Sequence, residues 1–210
     1  STYGASRIYD SLQKQNVAVS LKKIRRKMSN LGLRPVGLKK YKATTNSKHK
    51  YPVFANLLQR NFNLDAPNKA WVSDITYIGT DEGWYYLATV IDLFSRQVVG
   101  FKLGSRMTKE LVINALNDAW IKRGNPTGVI VHTDRGSQYA SNEYKATLAR
   151  NGLIGSMSRK GDCWDNAVAE SFFATLKKEY VYQTKFKSRI QVHLGVFDYI
   201  EAWYNNERIH

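Results

Sequence analysis

Three acidic side chains stand in settings that a solvated carboxylate does not need. Asp74 lies inside the apolar and aromatic run Trp-Val-Ser-Asp-Ile-Thr-Tyr-Ile, Asp134 follows the run Val-Ile-Val-His-Thr, and Glu170 opens a helical stretch, Asp-Asn-Ala-Val-Ala-Glu-Ser-Phe-Phe. A carboxylate among apolar neighbours is costly unless it is paired or binds a metal. Three such groups suit a hard cation with oxygen ligands, Mg²⁺ or in its place Mn²⁺. Zinc is disfavoured, because one cysteine and four scattered histidines supply no Cys/His cluster.

Spacing alone does not select these residues. Asp134 and Glu170 are 36 positions apart, but so are Asp74 and Glu110, Glu82 and Asp118, Glu143 and Glu179, Asp162 and Asp198, and Asp165 and Glu201. Context selects them: one acid inside a strand, one just past a buried strand, and one on a helix. Open α/β sheets place their chemistry beyond strand ends.

The elements that must position them follow from the pattern. Residues 71–78, 84–92 and 97–103 read as a three-stranded antiparallel meander, with turns at 80–83 and 94–96. A helix over 108–123 ends at Gly124-Asn125-Pro126, and 128–132 is a short apolar strand suited to a buried parallel position. A helix at 141–150, a strand at 153–157, a loop at 158–162 and helices over 165–182 and 188–205 complete an α/β layer fold with a mixed five-stranded sheet flanked by helices.

Ahead of this, Ala5, Ile8 and Leu12 mark one helix. Ser20 reads as the N-cap of a second, with Leu21, Ile24, Met28 and Leu31 on one stripe and Gly32 at its end. Lys22, Lys23, Arg25, Arg26 and Lys27 cover the rest of the second helix. The pair fits a helix-turn-helix DNA reader and also a small hairpin with a charged outer face. The net charge of +15 favours a polyanion partner, since residues 1–50 hold thirteen Lys or Arg against one acid. The predicted organisation is a helix-turn-helix segment over 1–45, a basic linker over 46–66 that continues the connector begun at residue 34, and a catalytic core over 67–210. The chain shows no signal peptide and no transmembrane run, and its single Cys163 fits a reducing cytoplasm.

With these motifs placed, residues 71–78, 86–100, 132–141, 156–178 and 204–210 resemble the integrase core of bacterial insertion-sequence transposases. These are second-reading-frame products related to retroviral integrases and folded like RNase H. Residues 1–45 resemble the helix-turn-helix segment that precedes such cores. The resemblance implies a DDE motif of Asp74, Asp134 and Glu170, acting with two Mg²⁺ or Mn²⁺ ions about 3.5–4 Å apart on in-line displacement at phosphorus. It also implies double-stranded DNA as partner, both element ends and target, and a homodimer or higher multimer on it. The setting would be the bacterial cytoplasm, at the nucleoid. Such proteins commonly carry further residues on both sides, so the sequence reads as a fragment centred on a catalytic core.

Lys177, two helical turns after Glu170 on the same face, is either a phosphate contact or a surface lysine beside Lys178. Arg159 and Lys160, in a loop expected to be mobile before substrate binds, are further DNA contacts. His132 is read as either a packed or a catalytic histidine. Asp92 is expected to pair with Arg96, and Asp165 and Asn166 to cap the catalytic helix.

A strictly catalytic reading has rivals in a silent DNA-binding protein and in a nuclease for RNA–DNA hybrids. A glycosidase with paired carboxylates is disfavoured by the positive charge.

Overall fold

The computed structural model describes residues 3–33, 51–159 and 163–208. Lys160, the basic stretch at 39–42, the polar run at 44–50 and most of the loop before the catalytic helix lie outside these residues.

Two helices, α1 (Ala5–Lys14) and α2 (Leu21–Asn30), come first. The Ser20 hydroxyl accepts from the Lys23 N–H and caps α2, as its sequence predicts. Ile24 and Met28, one turn apart, are buried, while Lys22, Lys23, Arg25, Arg26 and Lys27 are exposed. This gives α2 one apolar stripe and a continuous cationic surface.

The sheet consists of β1 (Ala70–Thr80), β2 (Gly83–Asp92), β3 (Val98–Gly104), β4 (Ile130–Thr133) and β5 (Ile154–Met157), in the order β3-β2-β1-β4-β5. The first three are antiparallel, and β4 and β5 add in parallel. The helices α3 (Lys109–Lys122), α4 (Ser137–Ala140) and α5 (Asn142–Arg150) cover one face. On the other face lie α6 (Ala167–Glu179), α7 (Arg189–Asp198) and a π-helical segment (Tyr199–Tyr204). Period-two alternation along β1 divides the core accordingly. Trp71 and Ile75 pack with Val112, Leu116, Tyr139 and Met157, whereas Val72 and Ile78 pack with Phe172, Phe173, Leu176 and Val196.

Three elements depart from the pattern reading. The helix expected over 165–182 is a 3₁₀ turn (Cys163–Asn166), then α6, then a second 3₁₀ turn (Val181–Gln183). The last helix loosens into π geometry after Asp198. The four-residue α4 was not read from the sequence, being too short to show a period.

Both sheet edges are closed by side chains or loops. The Val98 N–H donates to Asn205 Oδ1 (2.9 Å), and Asn205 Nδ2 returns a bond to the Val98 carbonyl (2.9 Å). Asp118 accepts from the Phe101 N–H (3.2 Å). At the β5 edge, residues 51–66 lie as a packed strap. The Met157 N–H donates to the Ala55 carbonyl (3.3 Å), the Leu57 N–H to Ser156 Oγ (2.9 Å), and Leu58 is buried in the core. The described part of the expected linker is thus seated along the core and covers an edge that would otherwise invite pairing.

Where α3 crosses β3 the contact leaves no room for a side chain. A Cβ on Gly100 would meet the Ala119 nitrogen at 2.5 Å and the Ala115 carbonyl at 2.6 Å, both helix backbone. Gly100→Ala should therefore destabilise the fold by about 2–3 kcal/mol, as overpacked cores do. Urea unfolding would show this as a lowered midpoint at unchanged slope.

Candidate active site

Asp74 and Asp134 are brought together by strand register. In the parallel pairing of β1 with β4, Ser73 sits opposite Thr133, the last residue of β4. Asp74 and Asp134 are the next residue of each chain, at the point where two strands about 4.8 Å apart begin to diverge. Beyond it β1 runs on to Thr80 with β2 as its only ladder partner among the described residues. The result is an open notch at a strand end, with a carboxylate on either side.

Local bonds hold both groups. Asp74 Oδ1 accepts from the Ile75 N–H (2.8 Å), and Asp134 Oδ1 accepts from the Gly136 N–H (2.8 Å). A Cβ on residue 136 would come within 3.0 Å of that same Asp134 oxygen, so glycine lets the carboxylate fold back over the turn. Arg135 points away and donates to the Ser158 carbonyl (2.7 Å), tying the turn to the strand-end loop of β5. Beneath the pair, the buried Tyr139 hydroxyl lies 3.1 Å from Ser73 Oγ.

Electrostatics mark this notch. Asp74 is held well above the usual carboxylate range, first by loss of water, then by the Asp134 charge, with Glu170 adding to it. The Ile75 N–H and the Lys177 ammonium pull the other way. Tyr139 is likewise pushed up, by burial first and then by both aspartates. Two carboxylates pressed together in a poorly hydrated site form an oxygen-donor pair whose repulsion a cation would relieve.

Glu170 stands in the first turn of α6, exposed, and its charge acts on Asp74. Among the described residues no three His, Cys, Asp or Glu side chains form a ready-made metal centre. The structure therefore brings Asp74 and Asp134 together and leaves Glu170 beside them, not drawn in.

Lys177 is not a surface lysine. It is 5% exposed, with its ammonium 4.5 Å from the centroid of the Tyr77 ring. Burial lowers its pKa to about 8, against the opposing pull of Asp74. Lys178 is half-buried and Arg159 exposed. His132 is fully buried, with Nδ1 2.9 Å from Ser156 Oγ, and burial depresses its pKa to about 4, which fits a packed histidine.

Two expectations need correction. Asp92 does fix the β2–β3 turn, but by accepting from the Phe94 and Ser95 N–H groups (3.0 and 2.8 Å), while the Arg96 guanidinium donates to the Phe62 carbonyl (3.0 Å). Nor does Asp165 cap α6: the N-cap position is Asn166, whose side chain makes no capping bond. Asp165 is turned inward and fully buried. It accepts from Asn56 (2.9 Å), from Arg60 (2.9 Å), and from the Arg159 backbone N–H (2.9 Å) and side chain. It thereby clamps the 51–66 strap to the loop that leads into α6. The sequence offers little signal for this, because Asn56 and Arg60 are about a hundred residues away and only Arg159 is near in the chain.

Comparison with known proteins agrees with the geometry. The model of the integrase core domain matches residues 65–163, a second integrase core model matches 170–210, and an HTH-like domain matches 1–41. The chain is 46% identical to the transposase InsF for insertion sequence IS3A of Escherichia coli (strain K12), over 99% of this chain and 72% of that protein. The chain belongs to the IS3-type insertion-sequence transposases. The fold of the transposase is that of the Mos1 transposase catalytic domain, solved with Raltegravir and Mn (TM-score 0.54, 14% identity, covering 65% of this chain and 72% of that one). It is also that of the HTLV-2 integrase catalytic core in complex with magnesium, in a dimeric form (TM-score 0.50, 18% identity, 65% and 89%). No helix among the described residues is long and apolar enough to cross a membrane.

The Asp165 clamp makes the stability of the transposase pH-dependent in a definite direction. The Arg159 and Arg60 guanidinium groups and the Arg159 N–H hold this carboxyl well below the usual carboxylate range. The stabilisation is present above the unfolded-state value of about 3.8 and is lost as pH falls through the lower folded value. Asp165→Asn should cost about 2–3 kcal/mol at neutral pH, since it weakens charge-assisted bonds to a buried group whose arginine partners can still reach water. Denaturant titrations of parent and variant should keep that gap from pH 8 to 5 and converge only in strong acid.

Proposed function

We propose that this transposase performs metal-dependent nicking and strand transfer at the ends of an insertion sequence, with Asp74, Asp134 and Glu170 as its ligand set. The observation that carries the reading is the register-enforced pairing of Asp74 with Asp134 at an open strand end, with the charge of Glu170 acting on the same carboxyl. The donor set fits Mg²⁺ or Mn²⁺: all oxygen, mutually repelling and poorly hydrated. Magnesium and manganese accompany the two related cores described above. Glu170, on an exposed helix turn, completes the set by drawing toward the notch. The ions, two when DNA is bound, supply an activated water or 3′-hydroxyl and neutralise charge on the phosphoryl oxygens.

The protein's own part is positioning. The β1–β4 register fixes two ligands, and the Gly136 turn and the Ile75 N–H fix which oxygens of each face outward. Tyr139 and Ser73 support the floor of the notch. Lys177, held over Tyr77, keeps a cation beside the carboxylates, where a scissile or neighbouring phosphate would lie. Lys178 and Arg159 extend the basic surface of the core, Lys160 is a further DNA contact by its place in the sequence, and Lys22, Lys23, Arg25 and Arg26 on α2 engage duplex DNA in the helix-turn-helix manner. We assign the helix-turn-helix role to residues 1–45, the connecting role to 46–66 and the chemistry to 67–210. The bacterial cytoplasm, at the nucleoid, is the matching location. A homodimer or higher multimer is the form that would hold two element ends.

Removing any one ligand should abolish the chemistry and spare recognition. Asp74→Asn, Asp134→Asn and Glu170→Gln should each lower strand transfer on element-end duplexes by roughly a thousandfold or more, as loss of a charge-stabilising group in the transition state does. Their duplex affinity without divalent metal should stay within a few-fold of the parent. Full activity in any one variant removes that residue from the site, and activity on RNA–DNA hybrids but not on DNA ends would replace the reading with a nuclease.

A further inference from the structure

A second cationic feature lies apart from the carboxylate notch. Arg7 from α1, Arg96 from the β2–β3 turn and Arg208 from the C-terminal stretch line one open cleft of about 270 Å³, with Ser171 and Thr175 on the α6 wall and Tyr204 at its side. Ser171 and Thr175 are one helical turn apart, so both hydroxyls lie on the same side of α6. Three guanidinium groups from three distant parts of the chain have been gathered at one place.

Side-chain and backbone bonds hold them there. Glu179, itself buried, accepts from both Arg7 (3.4 Å) and Arg208 (3.1 Å) and also from the Tyr199 hydroxyl (3.0 Å). The bond of Arg96 to the Phe62 carbonyl orients its guanidinium but neutralises nothing. Glu179 thus holds two of the three guanidinium groups, Arg208 through both of its oxygens. Burial pushes the pKa of Tyr204 up to about 12, with Arg208 opposing the rise, Glu179 adding to it, and Arg96 and Arg7 opposing it.

We propose that this cleft is a phosphodiester subsite, which seats the backbone of one DNA strand between the helix-turn-helix segment and α6. Arginine pairs geometrically with phosphate oxygens, and the two α6 hydroxyls add neutral donors of the kind that position a backbone without reading its sequence. The placement gives the subsite its purpose. Arg7 belongs to the element proposed to hold duplex DNA, and Ser171 directly follows Glu170 in the chain. A strand held here is tied to both. The inference rests on the transposase reading above, since it takes DNA as the ligand.

The test uses the full chain and a labelled duplex in EDTA, so that no chemistry contributes, with affinity measured over a series of salt concentrations. Each phosphate contact adds about 0.9 to the slope of log affinity against log salt. Thr175→Glu, which puts a negative charge on the cleft wall, should weaken binding about tenfold and lower the slope by about one. Thr175→Lys should tighten binding and steepen the slope, a gain that misfolding cannot mimic. Arg96→Gln should behave like Thr175→Glu. Unchanged affinity and slope in both Thr175 variants overturns the subsite, and if the parent binds the duplex in EDTA and nicks element-end DNA in a parallel reaction with Mn²⁺, the transposase reading stands without it. A parent chain with no salt-dependent duplex affinity overturns both.

Discussion

The structure turns on the repulsion between two carboxylates that the sheet forces together. Parallel pairing of β1 with β4 leaves no choice about it: with Ser73 opposite Thr133, the next residues must emerge side by side. A one-residue slip would send every β1 side chain to the opposite face, moving Val72 and Ile78 out of one core and Trp71 and Ile75 out of the other. The two cores therefore lock the register, and the register holds Asp74 against Asp134 whatever that costs. Apolar burial on both sheet faces supplies the free energy that keeps an unfavourable pair in place, a common condition of active sites.

The same logic explains why the edges of the sheet are closed so thoroughly. β4 and β5 have only four residues each, and short parallel strands gain little from their own ladder. The strap over 51–66 supplements them from outside. Phe54 lies so tightly on β5 that a Cβ at Gly155 would fall 2.4 Å from its ring, and Asn56 and Arg60 fasten the strap to Asp165. Asp165 in turn holds the Arg159 backbone. A chain of contacts thus runs from the strap through a buried carboxylate to the entry of α6, where Glu170 sits. Of the three proposed ligands, Asp74 and Asp134 stand on the sheet, and Glu170 stands on the helix that this clamp leads into.

What could be read in the sequence followed from how local each signal is. Strand alternation, the Ser20 cap, the basic face of α2 and the helix over 109–122 depend on neighbours within a turn or two, and they were legible. So was the strand-end setting of Asp134, because an apolar run followed by Asp-Arg-Gly carries its own context. The strap reads as a linker because its anchors, Ala55 to Met157 and Arg60 to Asp165, span about a hundred residues and leave no periodic trace. Asp165 reads as a cap because its position before a helix is a familiar local cue, whereas Asn56 and Arg60, which turn it inward together with Arg159, are about a hundred residues away. Lys177 stays open between surface and site in the sequence, because helical spacing fixes a face but not whether anything covers it. In the fold, the end of β1 covers it through Tyr77.

These points converge on α6, whose faces do different work over only thirteen residues. Phe172, Phe173 and Leu176 bury it against the sheet. Glu170 and Lys177, two turns apart, look toward the carboxylate notch and place opposite charges at its rim. Ser171 and Thr175 line the arginine cleft, and Glu179 at the end gathers Arg7, Arg208 and the Tyr199 hydroxyl. A rigid rod bearing all of these cannot move one without the others. A small shift of α6 that draws Glu170 toward Asp74 must also shift the cleft wall and the Glu179 contacts that tie α1 and the C-terminal stretch to the core. Under the proposed function, closing the ligand set and seating a strand in the cleft would be two consequences of one helix position, so that DNA in the cleft would bias the geometry of Glu170.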